Sequence, residues 1–369
     1  MRIGIITRKL SPEICGIGDH TLFFAKALES QGHEVVITAG RGEPSGKRIV
    51  TGDVWNAAAL ARLLEEFKKL SLEHLILQYT PLSFAEGKGW SNRVFCKFWQ
   101  ACWQVWKTSL IIHETYFRVW EYPPSWWRGT AQKYYLRELA SASDFVFTAS
   151  APLVEELNTW SLGSKTNRLP IGSNFPYIPI DKTKFRNENR ISSETIILLL
   201  FGGGAALRGM TSYVNALDAY LRRHRVTAAW LLLGGTPAGW FKLNLPILSP
   251  GRLSPENVSA WLQTADIFLM PHKPGLNAKR GTLAAALQHG LPVVGTRGPM
   301  TDSFWNDVSG VNLVQAGARL QFCDKVKQLC MDKNLRHLQG EANQRYYQNH
   351  LTWTRIAHDF LKGVFSQCG

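Results

Sequence analysis

The chain has 369 residues, 45% of them apolar and 19% charged, and a formal net charge of +14. This composition excludes wholesale disorder, and the length exceeds what one hydrophobic core usually organises, so two domains are expected. The positive charge favours anionic partners: nucleic acid, an acidic membrane surface or phosphorylated substrates.

In chain order, Arg2 to Thr7 reads as a short buried strand. It runs into the loop from Ser11 to His20 and then a helix with Leu22, Phe23, Ala25 and Leu28 on one face, ending at Gly32. Strand Glu34–Thr38, helix Ala57–Leu70, strand His74–Gln78 and strand Ser109–His113 follow. Next come helix Arg128–Ala142, strand Asp144–Thr148 and helix Pro152–Thr159. The segment from Leu169 to Asn189 carries Pro170, Pro176, Pro179 and Gly172 and reads as a linker. The same grammar restarts with strand Thr195–Phe201, a Gly-rich loop, a helix to about Arg223 and strand Ala228–Leu233. Helix Pro255–Thr264, strand Ile267–Met270, helix Thr282–His289 and strand Pro292–Thr296 complete the alternation. The expectation is an α/β chain of two Rossmann-like, doubly wound domains, residues 1–180 and 190–350, with a C-terminal helix (351–369) packing back on the first. Ligands are then expected at the carboxyl ends of the strands, where the domains would face each other.

Three loops at strand ends could carry chemistry. Gly16 and Gly18 precede a helix start, where small residues permit close approach and unpaired N–H groups attract an anion. A dinucleotide fingerprint is disfavoured, because Thr21 stands at its third glycine and no acidic residue ends the second strand. The run Phe201 to Gly209 repeats the arrangement: Gly203 and Gly204 expose backbone, and Arg208 offers a guanidinium to a diphosphate. The run His272 to Thr282 puts Lys279 and Arg280 just before a helix, with Gly281 and Leu283 beside Thr282 as its expected N-cap. The bland reading of each is a tight turn or a solvated loop charge; their coincidence at strand ends favours a phosphate site.

These blocks, in order, resemble the GT-B glycosyltransferases, specifically retaining glycosyltransferase family four, over nearly the whole length. The resembling stretches include Gly16-Ile-Gly-Asp-His-Thr21, Ile112-His-Glu114, Leu169-Pro-Ile-Gly-Ser-Asn174, Gly202 to Gly209, Leu231-Leu-Leu-Gly-Gly235, Ala265 to Pro271 and His289-Gly-Leu-Pro-Val293. Within that family the resemblance is nearest to cyanobacterial exopolysaccharide transferases, including those of the heterocyst envelope. The resemblance implies that His113 is the active-site histidine beneath the donor sugar and that Arg208 holds the diphosphate. It also implies that Gly251-Arg252-Leu253 reads the base through its backbone. Two departures stand out. Gly203 occupies the place of a usual arginine, and Asn277 and Ala285 occupy the places of two usual glutamates. The turn Lys279-Arg-Gly-Thr282 resembles a variant in which a basic turn takes over phosphate binding.

A nucleoside diphosphate leaving group gains charge as the glycosidic bond breaks, and prearranged cations and amides stabilise it. The chain contains no Asp-x-Asp element, so metal-independent transfer without a cofactor is expected. Asp19 and Glu114 are candidates to bind or deprotonate the acceptor hydroxyl, whereas His20 reads as a surface or packing residue. The aromatic region from Trp90 to Trp127 has two open readings: a membrane-surface or lipid-acceptor face, and a helix packed on the sheet with a stacking platform for sugars. The expected partners are a UDP-sugar and a glycan or lipid-linked acceptor, not nucleic acid. Six cysteines without a CxxC pair, no signal-like start and no apolar run of about 18 residues suggest a cytoplasmic protein, with peripheral attachment at the inner membrane face left open. The expected function is hexosyl transfer in polysaccharide biosynthesis; the alternatives are a UDP-sugar epimerase of the same fold and a non-catalytic sugar-nucleotide-binding protein.

Overall fold

The computed structural model describes residues 1–365 except 12, 14, 44–47, 53, 82, 85–91, 117–125, 204–206 and 235–239. The chain divides into two compact units, one of Met1–Pro170 with Trp353–Gly369, the other of Ile171–Thr352.

The first unit contains β1 (Arg2–Lys9), α1 (Gly16–Ser30), β2 (Glu34–Arg41), β3 (Arg48–Val50), α2 (Ala57–Lys69), β4 (His74–Tyr79) and α3 (Arg93–Trp103). It continues with β5 (Lys107–Ile112), α4 (Trp126–Ser141), β6 (Phe145–Thr148), α5 (Ala151–Leu157) and β7 (Thr166–Arg168). Its strands pair in the order β3-β2-β1-β4-β5-β6-β7, and every pairing is parallel. Parallel strands covered on both faces read as continuous apolar runs, as Ile3, Ile5, Ile6, Leu75, Ile76 and Leu77 do here. One face packs α2, α3 and α4 around Phe67, Phe95, Trp99 and Leu136. The other packs α1 through Phe24 and Leu28.

The second unit contains α6 (Lys182–Glu188), β8 (Ile196–Phe201), α7 (Thr211–Arg223), β9 (Ala228–Leu233), β10 (Ile247–Leu248), α8 (Pro255–Thr264), β11 (Ile267–Met270) and α9 (Gly281–Gln288). After these come β12 (Val293–Arg297), β13 (Val311–Gln315), α10 (Arg319–Met331) and α11 (Lys333–His350). The sheet order is β10-β9-β8-β11-β12-β13, again parallel throughout. Both units are therefore Rossmann-like.

The final helix, α12 (Trp353–Phe365), belongs to the first unit. Its buried Ile356, Ala357, Phe360, Leu361 and Val364 form one face, which meets α1 with Phe360 edge-on to Phe24 at 5.3 Å.

The linker expectation is corrected. Residues 171–180, expected to close the first domain, belong to the second unit. Proline-rich backbone has few donors, and two of those present bond to α8: Ile178 N–H donates to Ser259 Oγ at 3.1 Å and Ile180 N–H to Gln263 Oε1 at 3.3 Å, while Gln263 Nε2 donates to Ile178 O at 2.7 Å. Lys182–Glu188 is then a helix, capped by Asp181, whose carboxylate accepts from the Lys184 N–H at 2.9 Å.

Candidate functional site

In the first unit, the carboxyl ends of β1, β4 and β5 lie side by side, and α1 begins over them. Gly18 makes this possible: a Cβ there would stand 2.4 Å from the Lys9 carbonyl oxygen. The missing side chain at Gly18 is thus what lets α1 start against the protein's own strand. Gly16 is the exposed first residue of α1.

His113 follows β5, with its N–H bonded to Tyr79 O at 3.1 Å and its Nε2 2.5 Å from Gln78 Oε1. With Gln78 Oε1 as the acceptor, Nε2 carries the proton. Gln78 is fully buried near the end of β4, and a lone amide in so apolar a strand is the sequence signal for a partner to His113. His20 packs edge-on against His113 (ring centroids 4.7 Å apart) and against Trp353 (4.9 Å). Burial, aided by the neighbouring His113, holds His20 well below the ordinary histidine range, so it is a neutral packing residue and not a surface one.

Asp19 lies in the first turn of α1, half-buried, and the N-cap position is held by Cys15 without a side-chain cap bond. Burial pushes the Asp19 carboxyl above its ordinary value, and it makes no hydrogen bond or ion pair among the described residues. Glu114, next to His113, is exposed. Asp19 in the first turn of α1 and His113 and Glu114 just after β5 thus lie at the carboxyl edge of the first sheet, with α1 touching His113 through the His20–His113 contact.

In the second unit, three loops leave the carboxyl edge of the second sheet. After β8, Gly203 is exposed, and among the described residues a Cβ there would meet nothing within 4 Å. Gly204 lies outside the described residues. Arg208 is exposed and stacks on the Trp240 ring, 4.5 Å from its centroid. After β10, Gly251 adopts φ +76, and Arg252 is exposed beside half-buried Leu253.

The third loop, from β11 to α9, is the most constructed. Gly275 (φ +94) presses on Gly298 N, where a Cβ would fall 2.5 Å away. Leu276 N–H donates to Thr296 O at 2.7 Å, and Ala278 N–H donates to Asp302 Oδ2 at 2.6 Å. Lys279 and Arg280 are half-buried. The N-cap position belongs to Arg280, not to Thr282, which is the second helical residue. Leu283 N–H folds back onto Arg280 O at 3.0 Å and its side chain is buried, so Leu283 is not available to a ligand; the helix-start donors are those of Gly281 and Thr282. The Gly172–Asn174 loop lies against Gly281, with Gly172 O 3.7 Å from where a Cβ would stand. His272 is buried beneath, its Nε2 without a hydrogen-bond partner among the described residues. Burial and the Arg280 charge push its pKa down to about 3, so it is a neutral ring.

The replacements at the two glutamate positions have local explanations. Asn277 is buried and its Oδ1 accepts from the Lys279 N–H at 3.3 Å, shaping the turn. Ala285 is fully buried in the second turn of α9.

No protein-family model and no curated protein matches the chain. Solved structures do. A sucrose-phosphate synthase from Thermosynechococcus elongatus superposes with TM-score 0.73 at 15% identity, over 100% of this chain and 98% of that one. HepE from Anabaena, in complex with UDP and glucose, superposes with TM-score 0.71 at 11% identity, over 99% and 100%. WaaG, a glycosyltransferase involved in lipopolysaccharide biosynthesis, gives TM-score 0.65 at 15% identity, over 98% and 99%. With its two parallel Rossmann-like units, the chain has the GT-B fold of these glycosyltransferases.

Proposed function

We propose that the chain is a nucleotide-sugar glycosyltransferase that moves a hexosyl unit from a UDP-sugar to a glycan or lipid-linked acceptor in polysaccharide biosynthesis. The observation that carries this reading is the start of α9. There, Lys279 and Arg280 directly precede the helix-start residues Gly281 and Thr282, and buried, neutral His272 lies within reach of the Arg280 charge. An anion in that turn gains charge-assisted hydrogen bonds and the positive end of the helix together. The UDP, UDP-glucose and UDP-2-fluoro glucose named in structures of the same fold support a nucleotide diphosphate as that anion.

In this reading Lys279, Arg280 and Arg208 bind the diphosphate, and they offset the charge that grows on it as the glycosidic bond breaks, in place of a metal or cofactor. The loop Gly251–Leu253 contacts the base. His113, oriented by Gln78, meets the reacting sugar. Asp19, its carboxyl raised above the ordinary value by burial and free of competing bonds among the described residues, takes the acceptor's proton, with Glu114 alongside. Retention at the anomeric carbon follows from the family resemblance. No described helix is long and apolar enough to cross a membrane; a peripheral site of action at the inner membrane face is part of the proposal.

The test is calorimetry with UDP, followed by UDP release from a panel of UDP-sugars with and without oligosaccharide acceptors. UDP binding with acceptor-dependent UDP release is the expected result. No measurable UDP affinity overturns the reading, and so does interconversion of UDP-sugars without acceptor.

A further inference from the structure

The aromatic helix α3 resolves into two roles. Phe95, Cys96, Phe98, Trp99 and Cys102 are buried core, with Trp99 Nε1 donating to Ser143 Oγ at 2.9 Å. Trp103, the last residue of the helix, is 40% exposed. Its indole N–H is turned inward and donates to Asp144 Oδ1 at 3.1 Å. Asp144 is itself fixed, its Oδ2 accepting from the Thr108 N–H at 2.8 Å and the Thr108 hydroxyl at 3.2 Å. The one polar edge of the ring is therefore satisfied within the protein, and the indole is held while part of its surface stays in water.

Two surface grooves flank this ring. One, of about 520 Å³, is lined by Gln100, Trp103, Gln104, Glu138 and Ser141, at the ends of α3 and α4. The other, of about 460 Å³, runs from Trp103 and Gln104 past Glu73, Lys107 and Asp144 at the amino ends of β4, β5 and β6. Both volumes suit a small ligand or a few linked sugar rings. They open at the opposite end of β5 from His113, about 20 Å away along the strand, so they are separate from the candidate catalytic residues.

The charges decide the class of ligand. Across both grooves the ionisable residues are Glu73, Glu138, Asp144 and Lys107, one cation against three carboxylates, in a chain whose net charge is +14. Lys165 lies behind, with its ammonium donating to the carbonyls of Ser141 and Ser143 at 3.0 and 2.7 Å. A phosphorylated or polyanionic ligand meets repulsion here. A neutral polyol does not: side-chain amides and carboxylates bond its hydroxyls, and the weakly positive C–H face of a pyranose stacks on the negative face of an indole.

We propose that Trp103, with Gln100, Gln104 and Glu138, forms a non-catalytic binding site for a neutral oligosaccharide. A site of this kind holds a glycan to the enzyme at a second place, apart from the carboxyl-edge residues that the proposed reaction uses.

The test is affinity electrophoresis of the full chain, under native cathodic conditions with UDP present, in gels containing dextran, mannan or a mixed-linkage β-glucan, with dextran sulfate as the anionic control. At least one neutral polysaccharide is expected to retard the protein. Trp103→Ala weakens that retardation by at least about 2- to 12-fold, the range for one aromatic contact. Because Trp103→Ala could disturb the fold, Gln100→Ala and Gln104→Ala are made separately; both residues are exposed, and each is expected to weaken retardation by about 2- to 12-fold as one hydrogen bond is lost. All three variants are expected to keep their UDP affinity, which separates this site from the donor site. The proposal is overturned if no neutral polysaccharide retards the protein, if only dextran sulfate does, or if the three variants migrate like the parent.

Discussion

Gly18→Ala separates two explanations of the glycine-rich start of α1. In the structure, a Cβ at residue 18 would lie 2.4 Å from Lys9 O, 3.3 Å from Lys9 C and 3.4 Å from Leu10 Cα. All three are backbone atoms, so no side chain can swing aside. Reaching ordinary contact requires the helix to lift by about 1 Å, which pulls Phe24 and Leu28 out of register with the sheet they cover. Overpacking of this kind costs about 1–3 kcal/mol, and rigid backbone neighbours place it at the upper end. The gain in helix propensity on replacing glycine by alanine returns at most about 1 kcal/mol. A net loss near 2 kcal/mol lowers the melting temperature by about 4–8 °C for a unit of this size.

Gly203→Ala is the control. Its Cβ would enter open space, so stability should hold within about 0.5 kcal/mol, while UDP affinity falls if the donor approaches that backbone. Thermal denaturation and UDP calorimetry on both variants decide the matter. A Gly18→Ala protein as stable as the parent, yet impaired in UDP binding, would refute the packing argument and restore a ligand-approach role.

Arg280→Ala and Arg208→Ala should each weaken UDP by about 10- to 150-fold, the worth of a charge-assisted bond, and leave uridine affinity within about twofold; equal losses for both ligands would remove the phosphate assignment. His113→Ala should reduce turnover by at least about 100-fold with UDP affinity unchanged, and Gln78→Ala should reproduce part of that loss; a Gln78→Ala enzyme with parental turnover would sink the orienting role. Stability should fall on acidification. Burial depresses His74 to about 4, His272 to about 3 and His289 to about 4, while the unfolded chain protonates them near 6.5. The folded state therefore holds fewer protons below that pH, and each group contributes a loss of up to about 1.4 kcal/mol per pH unit between pH 6.5 and about 4. Denaturant melts at pH 7.5 and 5 check this, and a flat profile contradicts it.

The parallel strands were legible because burial on both faces makes them continuous apolar runs: Ala228–Leu233, Ile267–Met270 and His74–Tyr79 stand out against their flanks. The region from residue 298 to 350 was not legible. α10 exposes Leu320 and Met331, and α11 buries Gly340, Asn343 and Tyr347, so neither shows a clean apolar stripe. The segment 171–181 misled because proline and glycine mark irregular backbone, and only tertiary contacts show that this backbone is docked on α8. At the candidate site, the loops were visible as glycine and charge at strand ends. Their inner layer was not. The use of the Leu283 N–H by its own turn, the burial of His272 and the pairing of Gln78 with His113 depend on neighbours far away in sequence or on local closure that spacing does not encode.

Because α12 belongs to the first unit, a ribosome must finish every residue of the second unit before it can deliver Phe360 to the cavity between Phe24 and Phe147. During translation the second unit emerges as one uninterrupted stretch, whereas the first waits with an uncovered apolar face. A nascent chain arrested before residue 353 would carry that face into solution, where chaperones bind and aggregates start.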